Sequence, residues 1–328
     1  MESKPPIQVG VGGWAYLPIK MGNKLQVCSK LYDFVEINST FYRLPEIERV
    51  KKWKKTVPET FEFTVRANRE LTHVGHLRPN VKNFKIFEQM LEIAKELDAK
   101  IIHFQFPPSL IVTKAMVNDW RDFFKSAQSN SLSRSGLRFA LEARSQNAKD
   151  SEDLAKLIQE YDIIPCTDAS RDVPINASAD SKIVYTRVFG LGDHTKWSFD
   201  SQELKNLGDK VEEVKARRRY VTFHNLTMYE DASRMRTVIR TGKDQKQPPN
   251  APLGLSSLKQ VIASGKAEYP VTKQELIDEF SWKTFDREPG ERVHVDHVLR
   301  KLDDRSYRSI DDVIETLENE SHERLMNK

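Results

Sequence analysis

FKIFEQMLEIAKELDAKIIHFQFPP, residues 84–108, is the stretch whose reading decides the fold. Phe84, Phe87, Met90, Leu91, Ile93, Ala94 and Leu97 recur at steps of three and four, the spacing of one apolar helix face. The run Ile101–Phe106 follows within one short turn and reads as a strand covered on both sides, which Pro107-Pro108 then stops. A helix feeding a strand of this kind is half of a βαβ unit.

The same type of run recurs along the chain. Ile7–Val11, Phe34–Ile37, Phe61–Val65, Leu137–Leu141, Ile163–Cys166, Ile183–Val188 and Tyr220–Phe223 bring the number to eight, with starts 20 to 40 residues apart. That spacing holds a strand, a helix and two loops. Val117, Trp120, Phe123 and Phe124 mark a second helix. Leu154, Leu157 and Ile158 mark a third, behind the N-cap candidate Ser151, and Leu204, Leu207, Val211 and Val214 follow Asp200. Eight βα units predict an α/β fold of the closed (β/α)8, TIM-barrel type. Neither GxGxxG nor GxxxxGK[ST] occurs, which argues against an open nucleotide-binding sheet.

Residues 241–252, TGKDQKQPPNAP, are polar, proline-rich and free of large apolar side chains, the composition of a linker. The expected division is a barrel over 1–240, the linker 241–252, a small all-α module over 253–320 and a frayed tail at 321–328. Leu255–Ala263, Lys273–Phe280, Val293–Leu302 and Ile310–Leu317 are the module's helix candidates, with Thr272 and Ser309 as N-caps.

Composition narrows the classes. The 328 residues are 38% hydrophobic and 30% charged, with 16 Phe, 9 Tyr and 5 Trp, enough apolar material for a core. No run approaches the length of a membrane span, and Met1–Pro6 has no leader-like apolar stretch, so a cytoplasmic protein with no membrane association is expected. Cys28 and Cys166 make neither a disulfide framework nor a CxxC pair and read as buried thiols. Residues 241–328 carry 14 Lys and Arg against 17 Asp and Glu, leaving residues 1–240 at +7.

In such a barrel the chemistry lies at the carboxyl ends of the strands. Those ends deliver Trp14 and Tyr16, Glu36 with Asn38 and Tyr42, Arg66 with His73, Gln105, Glu142 with Arg144, Asp168, Arg187 and Asn225. Three chemistries fit them. Glu36, Glu142 and Asp168 are the catalytic candidates for acid–base work. The arginines, with Gly12-Gly13 and Gly190, suit a phosphate-containing small molecule or nucleic acid. His73, His224, Glu36, Glu142 and Asp168 are the candidates for a divalent metal, although no HxH or HxxxE cluster lies at one strand end. The same carboxylates and arginines are also compatible with an internal ring of ion pairs. His103, inside the fourth strand, reads as a core residue.

The rim segments 12–16 (GGWAY), 35–45 (VEINSTFYRLP), 105–109 (QFPPS) and 142–144 (EAR) resemble the YecE-like family, domain of unknown function seventy-two. Leu71-Thr72-His73 and Tyr185-Thr186-Arg187 fit the same pattern. The resemblance covers about residues 7–235 and implies a TIM barrel without an established activity. Apurinic endonucleases and sugar isomerases offer an analogy of fold, and with it nuclease-like hydrolysis as one expectation. The chain departs from the family pattern at Val188-Phe189-Gly190, which lacks a histidine, at Phe223-His224-Asn225, at Arg66 in place of a lysine, and after Arg144. Residues 269–276, 298–302 and 307–313 resemble a small helical domain of unknown function, twenty-seven ninety-five. The alternative to a ligand-binding or hydrolytic barrel is a non-catalytic binding or scaffold module in which residues 253–320 recruit a protein partner.

Overall fold

A computed structural model describes residues 6–129 and 136–326. Eight parallel strands, β1 (Ile7–Val11), β2 (Phe34–Ile37), β3 (Glu62–Arg66), β4 (Ile101–Gln105), β5 (Arg138–Glu142), β6 (Ile164–Pro165), β7 (Ile183–Val188) and β8 (Arg218–Phe223), are each found where an apolar run stands. They pair in the order β6-β5-β4-β3-β2-β1-β8-β7. The ring draws together just past the two-residue β6, where Arg187 N donates to Thr167 O at 3.1 Å and Ala169 N to Arg187 O at 2.9 Å. The architecture is the (β/α)8 barrel that the spacing predicts.

The helix Val81–Leu97 shows how the sequence selects its elements. Its N-cap Asn80 accepts the Asn83 N–H at 2.9 Å, and the helix stops at Asp98, which turns left-handed at φ 52°. Phe87, Met90, Leu91, Ile93, Ala94 and Leu97 are the buried stripe. Trp120, on the helix Lys114–Ser129, stacks on Phe106 at 4.4 Å and donates its indole N–H to His76 O at 2.8 Å.

The barrel interior is layered. Phe34, Ile101, Ala140, Ile164, Tyr185 and Tyr220 form one apolar cluster. Two residues further along the same strands stand Glu36, His103, Glu142, Arg187 and Thr222, while Cys166, just past β6, packs in the apolar cluster. Side chains alternate along a strand, so a step of two keeps the same face. One face thus passes from an apolar plug to a polar layer toward the carboxyl ends.

The chain divides into two compact units, residues 1–188 with 209–224, and 189–208 with 225–328. All eight barrel strands lie in the first. The division does not fall at 241–252. Asp244, within the expected linker, is buried and pairs with Arg234 of the helix Met228–Thr241, and it accepts the Ser201 hydroxyl at 2.6 Å.

The second unit has its own core, with Leu258, Ile262, Leu276, Phe280, Phe285, Val295, Leu299 and Tyr307 among its members. Leu255–Ala263 and Lys273–Phe280 are helices as expected, the second opened by a Thr272–Glu275 capping box. The helix expected from Ile310 to Leu317 runs on to Met326, through most of the segment expected to fray, and residues 327–328 lie outside the described residues. The all-α expectation is corrected. β9 (Val271–Thr272) pairs with β12 (Ser306–Tyr307), and β10 (Thr284–Glu288) with β11 (Glu291–His294), both antiparallel. Pro289-Gly290 makes the β10–β11 turn, with Gly290 at φ 81°, so the helix expected over Val293–Leu302 is a strand end followed by the short helix Asp296–Leu299. Among the described residues no helix is long and apolar enough to cross a membrane.

Candidate functional site

The polar layer of the barrel is built around Arg187. Its Nη1 donates to Gln105 Oε1 at 2.7 Å and to Glu142 Oε2 at 3.0 Å, and its Nη2 to Glu36 Oε1 at 3.2 Å. His103 spans the same two carboxylates, Nδ1 to Glu36 and Nε2 to Glu142, each at 3.1 Å. The Tyr185 hydroxyl donates to Glu36 Oε2 at 2.5 Å and meets Thr64 Oγ1 at 3.0 Å. Arg144 Nε donates to Glu142 Oε1 at 2.5 Å. His224 lies against the Arg187 guanidinium, 3.1 Å from Nε and from Nη2.

Burial and charge set the ionisation. Burial pushes Glu36 and Glu142 upward, but the guanidinium of Arg187 and the contact with His103 hold both well below the usual carboxylate range, with Arg144 also acting on Glu142. Burial opposes the charge on Arg187, and the two glutamates more than restore it. His224 is kept neutral by burial and then by Arg187. A neutral imidazole has one acceptor nitrogen, so only one of its two approaches to Arg187 is a hydrogen bond.

Arg66 is different. It lies 3.9 Å over the ring of Phe41, and its Nε is buried without a hydrogen-bond partner. Burial and then the charge of Arg187 lower its pKa to about 10. His73 packs edge-on against Phe41 at 4.9 Å and binds Thr72 Oγ1 at 2.9 Å. It titrates below its ordinary value through burial, with Arg66, Arg69 and His76 adding repulsion. Glu36 and Glu142 are paired with Arg144 and Arg187 and act on Arg66 only through its charge, which leaves one positive charge in excess among these five.

The remaining site candidates are placed as follows. Asn38 donates to Gly12 O at 3.0 Å, and Trp14 packs edge-on against Trp53 at 5.2 Å. Tyr16 and Tyr42 are 84% and 72% exposed, so their rings are open to a ligand. Asp168 adjoins Arg187 through the backbone bridge, while its carboxylate accepts from Ser170 N and Oγ and lies 3.5 Å from Arg171. Asn225, just past the carboxyl end of β8, is buried. Its amide donates to Trp197 O, Thr227 Oγ1 and Asp231 Oδ2, all in the second unit, where it secures the start of the helix Met228–Thr241.

A divalent metal is poorly matched to this layer. His103, Glu142 and Cys166 bring ligand atoms within 4.8 Å of one another. However, burial and then the charge of Glu142 push the Cys166 thiol far up, and the guanidinium of Arg187 already bonds Glu142. The cation between the carboxylates is Arg187. The sequence reading underrated His103 and did not single out Tyr185 or Thr64. The available signal was the step of two, from His103 to Gln105 and from Tyr185 to Arg187, which puts each pair on one strand face.

A family model described as protein of unknown function DUF72 matches residues 8–253. UPF0759 protein YunF of Bacillus subtilis (strain 168) is 33% identical over 116 residues, 31% of this chain and 40% of that protein, so the match spans less than half of the curated relative. The crystal structure of a DUF72 family protein from Thermotoga maritima MSB8 superposes with a TM-score of 0.58 at 20% identity, covering 72% of this chain and 100% of that one. Its counterpart from Enterococcus faecalis V583 superposes at 0.57 and 19%, covering 72% and 98%. These likenesses concern the fold.

Proposed function

The chain belongs to the DUF72 family, whose description supplies no reaction, and we propose from the geometry that the carboxyl end of its barrel binds a phosphate-bearing ligand, a nucleotide or single-stranded nucleic acid. Arg66 carries this reading. A guanidinium that stacks on Phe41, leaves a buried Nε unpartnered and is repelled by Arg187 gains from an anion what the protein does not give it. Tyr16, exposed on the loop that follows β1, and Tyr42, exposed at the end of the short helix Ser39–Tyr42 that follows β2, offer faces on which a base stacks.

Binding is favoured over turnover by the state of the two glutamates. Each carboxylate oxygen of Glu36 and Glu142 has a donor within 3.2 Å, and both side chains are at most 3% exposed. Carboxylates so engaged hold Arg187 in place rather than shuttle protons. Hydrolysis of a phosphate ester, with Glu36, Glu142 and Asp168 in acid–base roles, is supported only by the convergence of the first two. The YecE-like label and a partner-recruiting role for residues 253–320 belong to this proposal too, and the family model ends at residue 253.

The test is fluorescence anisotropy with a labelled oligothymidylate, with adenosine monophosphate as competitor. Affinity is expected to fall as salt rises. Arg66→Gln is expected to weaken binding by about 1.5–3 kcal/mol, the scale of a charged hydrogen bond, with an unchanged melting transition. Salt-independent binding, or full affinity in the variant, refutes the reading.

A further inference from the structure

We propose a divalent-metal site in the second unit, in which Asp200, Glu203 and His294 take a first-row ion of the Zn²⁺ class. Asp200 is the residue before the helix Ser201–Glu213, and Glu203 stands in the first turn. Glu203 N donates to Asp200 Oδ1 at 2.7 Å, and Asp200 N donates to Glu203 Oε2 at 2.8 Å. This reciprocal cap fixes two carboxylates side by side. His294, at the end of β11, brings Nε2 to 2.8 Å from Glu203 Oε2.

One ligand atom from each of the three residues falls within 4.8 Å of the other two. A tetrahedral Zn²⁺ with nitrogen and oxygen ligands at its usual bond lengths spaces its donors about 3.3 Å apart, so modest side-chain rotations close the site. One imidazole with two carboxylates is a donor set suited to Zn²⁺, Mn²⁺, Co²⁺ or Fe²⁺.

Charge provides the second argument. Asp200 is 8% exposed, and the two carboxylates share a single imidazole. The nearby arginines are already engaged, Arg234 with Asp231 and Asp244, and Arg292 with Asp286 and Glu230. The cluster therefore keeps at least one negative charge in a largely buried place, which a bound cation offsets. A helix cap explains the two carboxylates but requires neither the histidine nor the burial. Asp200 also borders a cavity of about 270 Å³ lined by Ser201, Gly290, Arg292, Lys205 and Lys246. Of the three ligands Asp200 is the one that lines this cavity, and the lysines suit an anionic ligand on its open side.

The site is tested on full-length protein stripped with a chelator. Zn²⁺ is titrated by calorimetry in buffers of different ionisation enthalpy, and Co²⁺ by absorbance. Cu²⁺ quenching of tryptophan fluorescence adds a local probe, because the Trp197 ring lies 4.6 Å from that of His294. One equivalent bound with micromolar or tighter affinity, proton release on binding, and a loss of more than about tenfold in both His294→Gln and Asp200→Asn support the proposal. Asn retains the N-cap, so Asp200→Asn decides the matter if His294→Gln does not fold. Absence of binding to the wild type, or equal binding by the folded variants, overturns it. Arg66→Gln is expected to bind the ion normally, which separates this site from the barrel mouth.

Discussion

Replacing Arg187 with methionine keeps much of the side-chain length and removes the charge that organises the barrel's polar layer. The wild-type guanidinium is 2% exposed and bonds Glu36, Glu142 and Gln105, each of which is at most 9% exposed. Taking one partner from a buried ion pair costs about 3–5 kcal/mol, because the other charge stays buried. Here two carboxylates are left, so the upper part of that range is expected. The pH dependence follows from the direction of the shifts. In the wild type both glutamates titrate below their unfolded value of about 4.3, so their stabilisation is present above that pH and is lost as pH falls through the folded values. In Arg187→Met burial acts with weaker opposition and the folded values move up. The variant then loses stability as pH rises above the unfolded value. The gap between wild type and variant should be widest near neutrality and shrink as pH approaches about 4. Urea unfolding across that range measures it, and Arg187→Met with Glu142→Gln should recover part of the loss. A neutral-pH loss below about 1 kcal/mol, or a gap that does not move with pH, refutes the account of Arg187 as the cation of the layer.

Other perturbations test separate parts of the argument. A Cβ at Gly12 would lie 2.3 Å from His224 Nδ1, so Gly12→Ala should displace His224 and lower stability by about 1–3 kcal/mol; an unchanged denaturation midpoint would show that the ring yields freely. Thr272→Ala removes the capping box of Lys273–Phe280 and should cost about 1 kcal/mol in urea unfolding, whereas Thr272→Ser should cost little. His294 is held above its ordinary value by Glu203 and Asp200 against the effect of burial. Its stabilising contribution is present below the unfolded histidine value of about 6.5 and fades as pH rises through the folded one. With a chelator present, melting of the wild type should therefore decline over that window relative to His294→Gln, and parallel profiles would remove the ion pair from consideration.

Much of the barrel was legible because each strand is a short apolar run and each helix carries a stripe that needs covering. Ile7–Val11, Phe34–Ile37 and Ile183–Val188 are observed residue for residue. Where the sequence misled, a local signal was outweighed by a longer-range one. Val293 and His294 resemble the start of a helix, yet Pro289-Gly290 makes the turn that pairs β11 with β10. The polar stretch 241–252 has a linker's composition, yet Asp244 within it meets Arg234, an ion pair that no compositional rule anticipates. Asn225 comes two residues after β8, where the chain turns into a helix whose first turn claims the amide.

The site illustrates the same division between residue type and arrangement. A census of strand ends puts Glu36, Glu142, Arg66, Arg144 and Arg187 in one neighbourhood, but pairing is a matter of depth. Arg187 lies in the same interior layer as the two glutamates and is neutralised there. Arg66 belongs to the strand carboxyl end too, but it leaves that layer to lie on Phe41, where an aromatic face takes the place of a carboxylate. An aromatic face attracts a cation without cancelling its charge. The guanidinium thus remains electropositive and held in position, while the Arg187 layer beneath it is closed. A barrel whose polar residues served only to satisfy one another would have no reason to hold one arginine back from the carboxylates, and that asymmetry makes Arg66 the residue on which the binding hypothesis turns.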